Sequence, residues 1–221
     1  MINQIQTALT VNQLKMAQEF LPKFDFKLAL NKPTGNFFYD PWQIKPEFEN
    51  TVWEEILNTL PGPIGEARLI KLAPGTNYWV HADIDDRWHV SLVNEQAFLI
   101  DLESHKMFET DLGVWYTMNA GRLHSAANFG ETDRIQLVVR QLLLPGTFDN
   151  PVSIIIPMPD THNARFVFDK IYSPWLNRAN KNGHIKDFAY NDTEVTFKVN
   201  PGVIDGLGEL PAKDFIVIRH W

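Results

Sequence analysis

The chain has 221 residues with a formal net charge of −7; 44% are apolar, 21% are charged, seven are histidine and none is cysteine. This suits one large soluble domain, or a core domain with an extension. The acidic balance argues against a nucleic-acid ligand, which needs a basic footprint for phosphate. The lack of cysteine excludes disulfides, thiolate nucleophiles and Cys-held metal sites. No window approaches the roughly 18–20 apolar residues of a membrane span. The first residues, MINQIQTALTVNQLK, lack the basic and apolar regions of a signal peptide, so a cytoplasmic location is expected.

Thr10-Val11-Asn12-Gln13 reads as a capping box that opens a short helix, with Leu14, Ala17, Phe20 and Leu21 towards its buried side and Pro22 as its stop. Residues 23–46 read as an aromatic loop with KPTG and YDPW turn signals. A second helix is expected from the cap Asn50, with an apolar stripe of Val52, Ile56, Leu57 and Leu60, ending at PGPIG. From Glu66 the period changes to that of strands. EARLIKLA, a short piece around Val80-His81, RWHVSLV, QAFLIDL, HKMFET, GVWYTM, RLHSAAN and DRIQLVVRQLLL follow one another with short turns and no helix between them. Closely spaced strands of this kind predict a sandwich or barrel, and a jelly roll of two facing sheets fits the size. After Pro145, a strand-like NPVSIIIPMPD, a helix interrupted near Pro174 and a strand-like FIVIRHW form an expected α+β extension. The expected division is therefore 1–65 as N-terminal helical support, 66–144 as a mainly β, cupin-like jelly-roll core, and 145–221 as an extension packed on it.

The chemistry concentrates in YWVHADIDDRWHV, residues 78–90. In an extended segment His81 and Asp83 point to the same side, so an imidazole and a carboxylate can meet one ion. His124 on a later strand can supply a third ligand. Two histidines and one carboxylate form the facial triad that leaves open positions on iron(II). On RWHVSLV, Arg87, His89 and Ser91 share one face opposite Trp88, Val90 and Leu92. On DRIQLVV, Arg134 and Gln136 oppose Ile135, Leu137 and Val139. The usual sense of this pattern puts the polar faces in water. A metal site would give a reason to turn them inward, since a chelated carboxylate co-substrate needs a cation at its far end. Other residues have blander alternatives. Asp85 and Asp86 are alternative ligands or wet loop residues, and His105 suits an exposed hairpin. Arg122, Ser91 and Asn128 are candidates to meet substrate, while Trp42, Trp53, Trp79 and Trp175 suit packing. The aromatic spacing of ARFVFDKIYSPWL suits a core-facing helix, a lid or a homodimer surface alike.

The stretches ARLIKLAPGTNYWVHADID, RWHVSL and GVWYTMNAGRLHSAANFGETDRIQLVV together resemble the aspartyl/asparaginyl β-hydroxylase family, with its proline-hydroxylase-like members, of the iron(II)/2-oxoglutarate-dependent dioxygenases. The shared pattern is a strand ending at a Pro-Gly turn, His-x-Asp, Arg-x-His, a Trp ahead of the distal His, and an Arg ten residues beyond it. It covers about a third of the chain. The resemblance implies that His81, Asp83 and His124 ligate iron(II), that Arg134 pairs with the distal carboxylate of 2-oxoglutarate, and that Arg87 and His89 help to hold its carboxylate groups. Trp115 matches a structural aromatic. The implied activity is hydroxylation of an amino acid or a peptidyl side chain by oxygen, with succinate and carbon dioxide as co-products. Two other functions share such a barrel: a different metal-dependent cupin enzyme, and a non-catalytic ligand-binding protein.

Overall fold

In a computed structural model, the described residues are 2–35, 37, 40–81, 83, 86–102, 104–118, 120, 124–142, 152–157, 165–166, 168–181, 183, 185–199 and 216–219. Along the chain come β1 (Ile2–Ala8), α1 (Val11–Glu19), β2 (Lys27–Ala29), β3 (Asn31–Pro33), β4 (Trp42–Ile44), α2 (Val52–Leu57), β5 (Ile64–Leu72) and β6 (Thr76–Asn77). There follow β7 (Arg87–Val93), β8 (Ala97–Asp101), β9 (Lys106–Glu109), β10 (Val114–Met118), β11 (His124–Asn128) and β12 (Arg134–Gln141). The C-terminal elements are β13 (Val152–Pro157), α3 (Ser173–Lys181), β14 (Ile185–Tyr190), β15 (Glu194–Val199) and β16 (Ile216–Arg219).

Strand order defines the architecture. A six-stranded sheet runs β1-β10-β7-β12-β5-β2 and a four-stranded sheet runs β6-β11-β8-β9. From β5 to β12 the chain therefore winds between the two sheets, staying in the smaller sheet for the β8–β9 hairpin, and each of these strand ladders is antiparallel. This is a double-stranded β-helix, the jelly roll of cupin-like proteins. Its two inner faces meet where Leu72 and Met118 of the larger sheet pack with Leu99 and Ala126 of the smaller one. The outer face of the larger sheet carries Ala67, Leu69, Trp88, Val90, Leu92, Trp115, Ile135, Leu137 and Val139 in one buried cluster with Ala17 of α1 and Val52, Trp53, Ile56 and Leu57 of α2. Each fully buried large side chain there contributes roughly 1.5–3 kcal/mol. The two N-terminal helices thus form a lid over one side of the sheet.

The capping box of α1 is present, with Thr10 and Gln13 bonding each other's backbone N–H. Several expectations need correction. The cap of α2 is Thr51, because Asn50 adopts a left-handed φ of 57° and cannot lead directly into a helix. Phe20 is 63% exposed, since α1 ends at Glu19 before that position turns inward. The segment expected as loop contains β2, β3 and β4, and the N-terminal residues form β1. Both β1 and β2 extend the larger sheet at its edges, which short irregular stretches do without a legible alternation. In the C-terminal part, β14-β15-β13-β16 form a separate antiparallel sheet. Two of its strands, β14 and β15, were not expected from the sequence. A π-helical segment, Phe168–Tyr172, runs directly into α3, so the helical stretch changes type one residue before Ser173-Pro174, in keeping with the expected interruption near Pro174. No helix among the described residues is long and apolar enough to cross a membrane.

Candidate metal centre

The two candidate histidines meet through the backbone first. The His81 N–H donates to the His124 carbonyl at 3.0 Å, and the His124 N–H returns to the His81 carbonyl at 2.9 Å. Such a closed antiparallel pair sets both side chains on one side, and the two rings lie 4.3 Å apart between centroids. Asp83 is pinned by its N–H to the Ala120 carbonyl at 2.7 Å. Its Oδ2 then stands 3.7 Å from Nε2 of His81 and 3.7 Å from Nε2 of His124. All three donor atoms lie within 4.8 Å of one another. Donors about 2.1 Å from one ion stand roughly 3 Å apart, so the cluster is slightly wider than a closed coordination shell.

The tautomer of His81 fits a metal. Its Nδ1 lies 2.7 Å from the Trp79 carbonyl. A carbonyl only accepts, so Nδ1 carries a proton and Nε2 is the nitrogen turned towards Asp83. Ligating histidines are commonly oriented by this kind of bond on the far nitrogen. Two imidazoles and one carboxylate, without thiolate, make a donor set that suits iron(II) with open positions. The other oxygen of Asp83, Oδ1, is 2.9 Å from Nη2 of Arg87. Burial alone would push the Asp83 carboxyl up, but Arg87, then His124, His81 and Arg68, hold it below its usual value.

Beyond these residues the inner face of the larger sheet is polar and buried. Register places Arg87 opposite Arg140, His89 opposite Val138 and Ser91 opposite Gln136. Arg87, His89, Ser91, Arg134 and Gln136 are all buried. The inward sense of the alternation, which the usual pattern disfavours, is the one adopted. Nδ1 of His89 lies 3.2 Å from Oε1 of Gln136, whose Nε2 bonds Ser91 Oγ at 2.9 Å and Thr110 Oγ1 at 3.3 Å. Nε2 of His89 is buried without a partner. Burial first, then the nearby Arg134, Arg87 and His124, push its pKa down to about 3, so the ring is neutral.

Arg134 opens β12 and is 3% exposed, yet its Nε and one Nη have no hydrogen-bond acceptor. Burial lowers its pKa to about 10, which still leaves it charged at neutral pH. The Tyr78 hydroxyl, within electrostatic reach of Arg134, is likewise buried without a partner, and burial raises its pKa. On β5, Glu66 is held by Lys27 at 2.8 Å and by Arg68. Burial would raise the Glu66 carboxyl, but those two cations hold it low.

The structure thus brings His81, Asp83, His124 and Arg87 together on the inner side of the barrel, the cup, where His89 lies within electrostatic reach of Arg87, His124 and Arg134. Ser91 is closed off by Thr110 and Gln136. Asn128 spends its amide on backbone: it donates to Leu72 and Thr132 and accepts from Gly130, locking a turn in which a Cβ on Gly130 would strike the Glu95 carbonyl. Arg122 and Asp85 lie outside the described residues. Asp86 accepts a bond from the Ala120 N–H and belongs to the loop's scaffold. Trp53 is buried under the sheet, but Trp79 is 91% exposed and does not pack; its carbonyl, not its indole, serves the site. Trp175's side chain is outside the described set. Sequence reasoning did not single out the Tyr78 hydroxyl or Arg68. Arg68 carries a legible signal, because it alternates with Ala67 and Leu69 as Arg87 does with Trp88.

No family model matches the chain and no curated protein is detectably related to it. Among solved structures the backbone is similar to a cupin domain from Bordetella pertussis Tohama I, at 14% identity over 53% of this chain and 97% of that one, with a TM-score of 0.32. It is also similar to an oxidoreductase of the 2OG-Fe(II) oxygenase family from Burkholderia pseudomallei (11% identity, 59% and 77% covered, TM-score 0.46). A viral collagen prolyl hydroxylase from Paramecium bursaria Chlorella virus-1 is similar as well (13% identity, 63% and 94% covered, TM-score 0.40).

Proposed function

We propose that the chain is an iron(II)/2-oxoglutarate-dependent dioxygenase that hydroxylates an amino acid or a peptidyl amino-acid side chain. The observation that carries this reading is the buried, acceptor-poor Arg134 in the same cup as the His81, Asp83 and His124 cluster. A guanidinium held away from water needs a counter-charge, and leaving it without one costs several kcal/mol. A dicarboxylate that reaches from the metal to Arg134 supplies that charge. 2-Oxoglutarate has this shape, with a keto acid at one end and a carboxylate at the other.

In this reading His81, Asp83 and His124 hold iron(II), which with 2-oxoglutarate and oxygen supplies the oxidising chemistry that yields succinate, carbon dioxide and a hydroxylated product. Arg134 and the Tyr78 hydroxyl grip the distal carboxylate with charge-assisted hydrogen bonds. His89 and Arg87 lie near the metal end of the co-substrate. The Gln136, Ser91 and Thr110 network fixes the His89 ring. The tightly packed barrel wall excludes water from the far end. We assign residues 1–65 to support of the larger sheet, 66–144 to the catalytic barrel and 145–221 to an extension of it.

Anaerobic addition of iron(II) and 2-oxoglutarate should produce the weak visible metal-to-ligand charge-transfer band of this chelate. Metal binding without the band would favour another metal-dependent cupin enzyme. Binding of neither would favour a non-catalytic ligand-binding barrel. Succinate release across free amino acids, including proline, and across Asp- and Asn-containing peptides would then identify the substrate.

A further inference from the structure

We propose that Arg87 is a positioning residue of the metal centre, which holds Oδ1 of Asp83 so that the carboxylate offers only Oδ2 to the ion. The proposal rests on the metal-binding reading above and assigns Arg87 a task that reading leaves open. Three observations lead to it. Oδ2 is equidistant, at 3.7 Å, from the Nε2 atoms of both histidines, so this oxygen faces the place where an ion would sit. Oδ1 is turned away onto Nη2 of Arg87 at 2.9 Å. Asp83 is fixed at its other end by the backbone bond to Ala120, so both the root and the tip of the side chain are held.

The consequence concerns how many coordination positions stay open. A carboxylate that binds with both oxygens takes two positions, and one that binds with a single oxygen takes one. With two histidines and one carboxylate oxygen, a six-coordinate ion keeps three positions, enough for a bidentate keto acid and oxygen. With both oxygens of Asp83 bound, it keeps two. Arg87 occupies Oδ1 and so guards the third position. A cation this close to a dication is electrostatically unfavourable, and its placement is explained when its partner is the ligand. Arg87 is also rigidly presented: it is the first residue of β7, its side chain is 9% exposed, and its backbone is in register with both Met118 and Arg140.

The test is calorimetric titration of cobalt(II) into the metal-free full chain, which needs no turnover. Loss of an outer partner of a metal ligand typically weakens affinity about 10–100-fold, so Arg87→Met should bind cobalt(II) at least about tenfold more weakly. Arg87→Lys should recover part of this, since a point charge keeps the ion pair but not the fork. In an Asp83→Gly background Arg87→Met should change affinity by less than about twofold, because the residue acts through Asp83. Arg87→Met binding within about threefold of wild type overturns the proposal. So does a loss of equal size in the Asp83→Gly background, which would place the action of Arg87 elsewhere. If Arg87→Met does not fold, Arg87→Lys decides: affinity equal to wild type overturns the clamp, and an intermediate loss that vanishes with Asp83→Gly supports it. Failure of the wild-type chain to bind cobalt(II) would sink the metal centre itself, and is thereby distinct from failure of the clamp.

Discussion

The two faces of the larger sheet are both buried, and they are buried for different reasons. On the outer face Trp88, Val90, Leu137 and Val139 meet the two N-terminal helices in one apolar cluster. On the inner face the residues one step along the same strands are Arg87, His89, Gln136, Val138 and Arg140. Strand alternation separates the two sets cleanly, because successive side chains point to opposite faces. The outer face stabilises by removing apolar area from water. The inner face does the reverse: it draws guanidinium and imidazole groups out of water and leaves Nε2 of His89 and two nitrogens of Arg134 without acceptors. Such a face is a standing cost, tolerable in a domain whose net stability is a small difference of large terms only because the outer face offsets it. Apolar packing and buried charge are thus divided between alternate residues of single strands.

That division can be broken experimentally. The largest effect is expected on the outer face: Trp115, fully buried and bonded through its indole N–H to Thr59 at 3.2 Å, should lose about 3–5 kcal/mol of stability on Trp115→Ala. Chemical denaturation reads this directly. Cobalt(II) affinity of the protein that remains folded should be unchanged. If metal affinity fell in proportion, the two faces would be one cooperative unit and the division would fail.

The opposite substitution is Arg134→Met on the inner face. Methionine matches much of the length of arginine but carries no charge that must be desolvated. Its denaturation midpoint should equal or exceed that of wild type. Its affinity for 2-oxoglutarate, measured by the charge-transfer band, should fall by about 2–5 kcal/mol, the usual result of removing one partner of a buried charged pair. A destabilisation as large as that of Trp115→Ala would mean that Arg134 is a structural residue and that its open nitrogens are incidental.

The same contrast explains what was legible beforehand. The barrel could be read from Glu66 onward because its strands are long enough to show alternation and are separated by turns such as that of Gly130. The grouping of His81, Asp83 and His124 was foreshadowed because His81 and Asp83 are two residues apart on one extended segment. Which way the sheet faced could not be read from alternation alone, since Arg87 and Trp88 are both buried and only their partners differ. Tyr78 was hidden for a similar reason: an aromatic residue beside Trp79 looks like packing, and only the three-dimensional neighbourhood of Arg134 shows a hydroxyl without a partner. The edge strands β1 and β2 have mixed polar sequences and are strands because a neighbour offers free backbone groups, which is tertiary information.

His89 offers the finest test of the inner face, because its cost can be titrated. In the unfolded chain its imidazole takes a proton once the pH falls below about 6.5, whereas burial keeps the folded ring neutral down to about 3. Between those values the unfolded state binds the additional proton, so stability falls as the pH falls. One group contributes a slope of at most about 1.4 kcal/mol per pH unit. Asp83 acts in the same direction, since its carboxyl is held low in the folded state, but its share appears only as carboxylates begin to protonate below about pH 4.5. Unfolding free energies of the metal-free wild type and His89→Gln, measured from about pH 4.5 to 6.5, therefore isolate the histidine. The variant should show a slope shallower by about 1 kcal/mol per pH unit, whatever its absolute stability. Parallel slopes would mean that His89 reaches water in the folded protein. The inner face would then be a wet lining, and the division between a dry outer face and a dry, charged inner one would no longer hold.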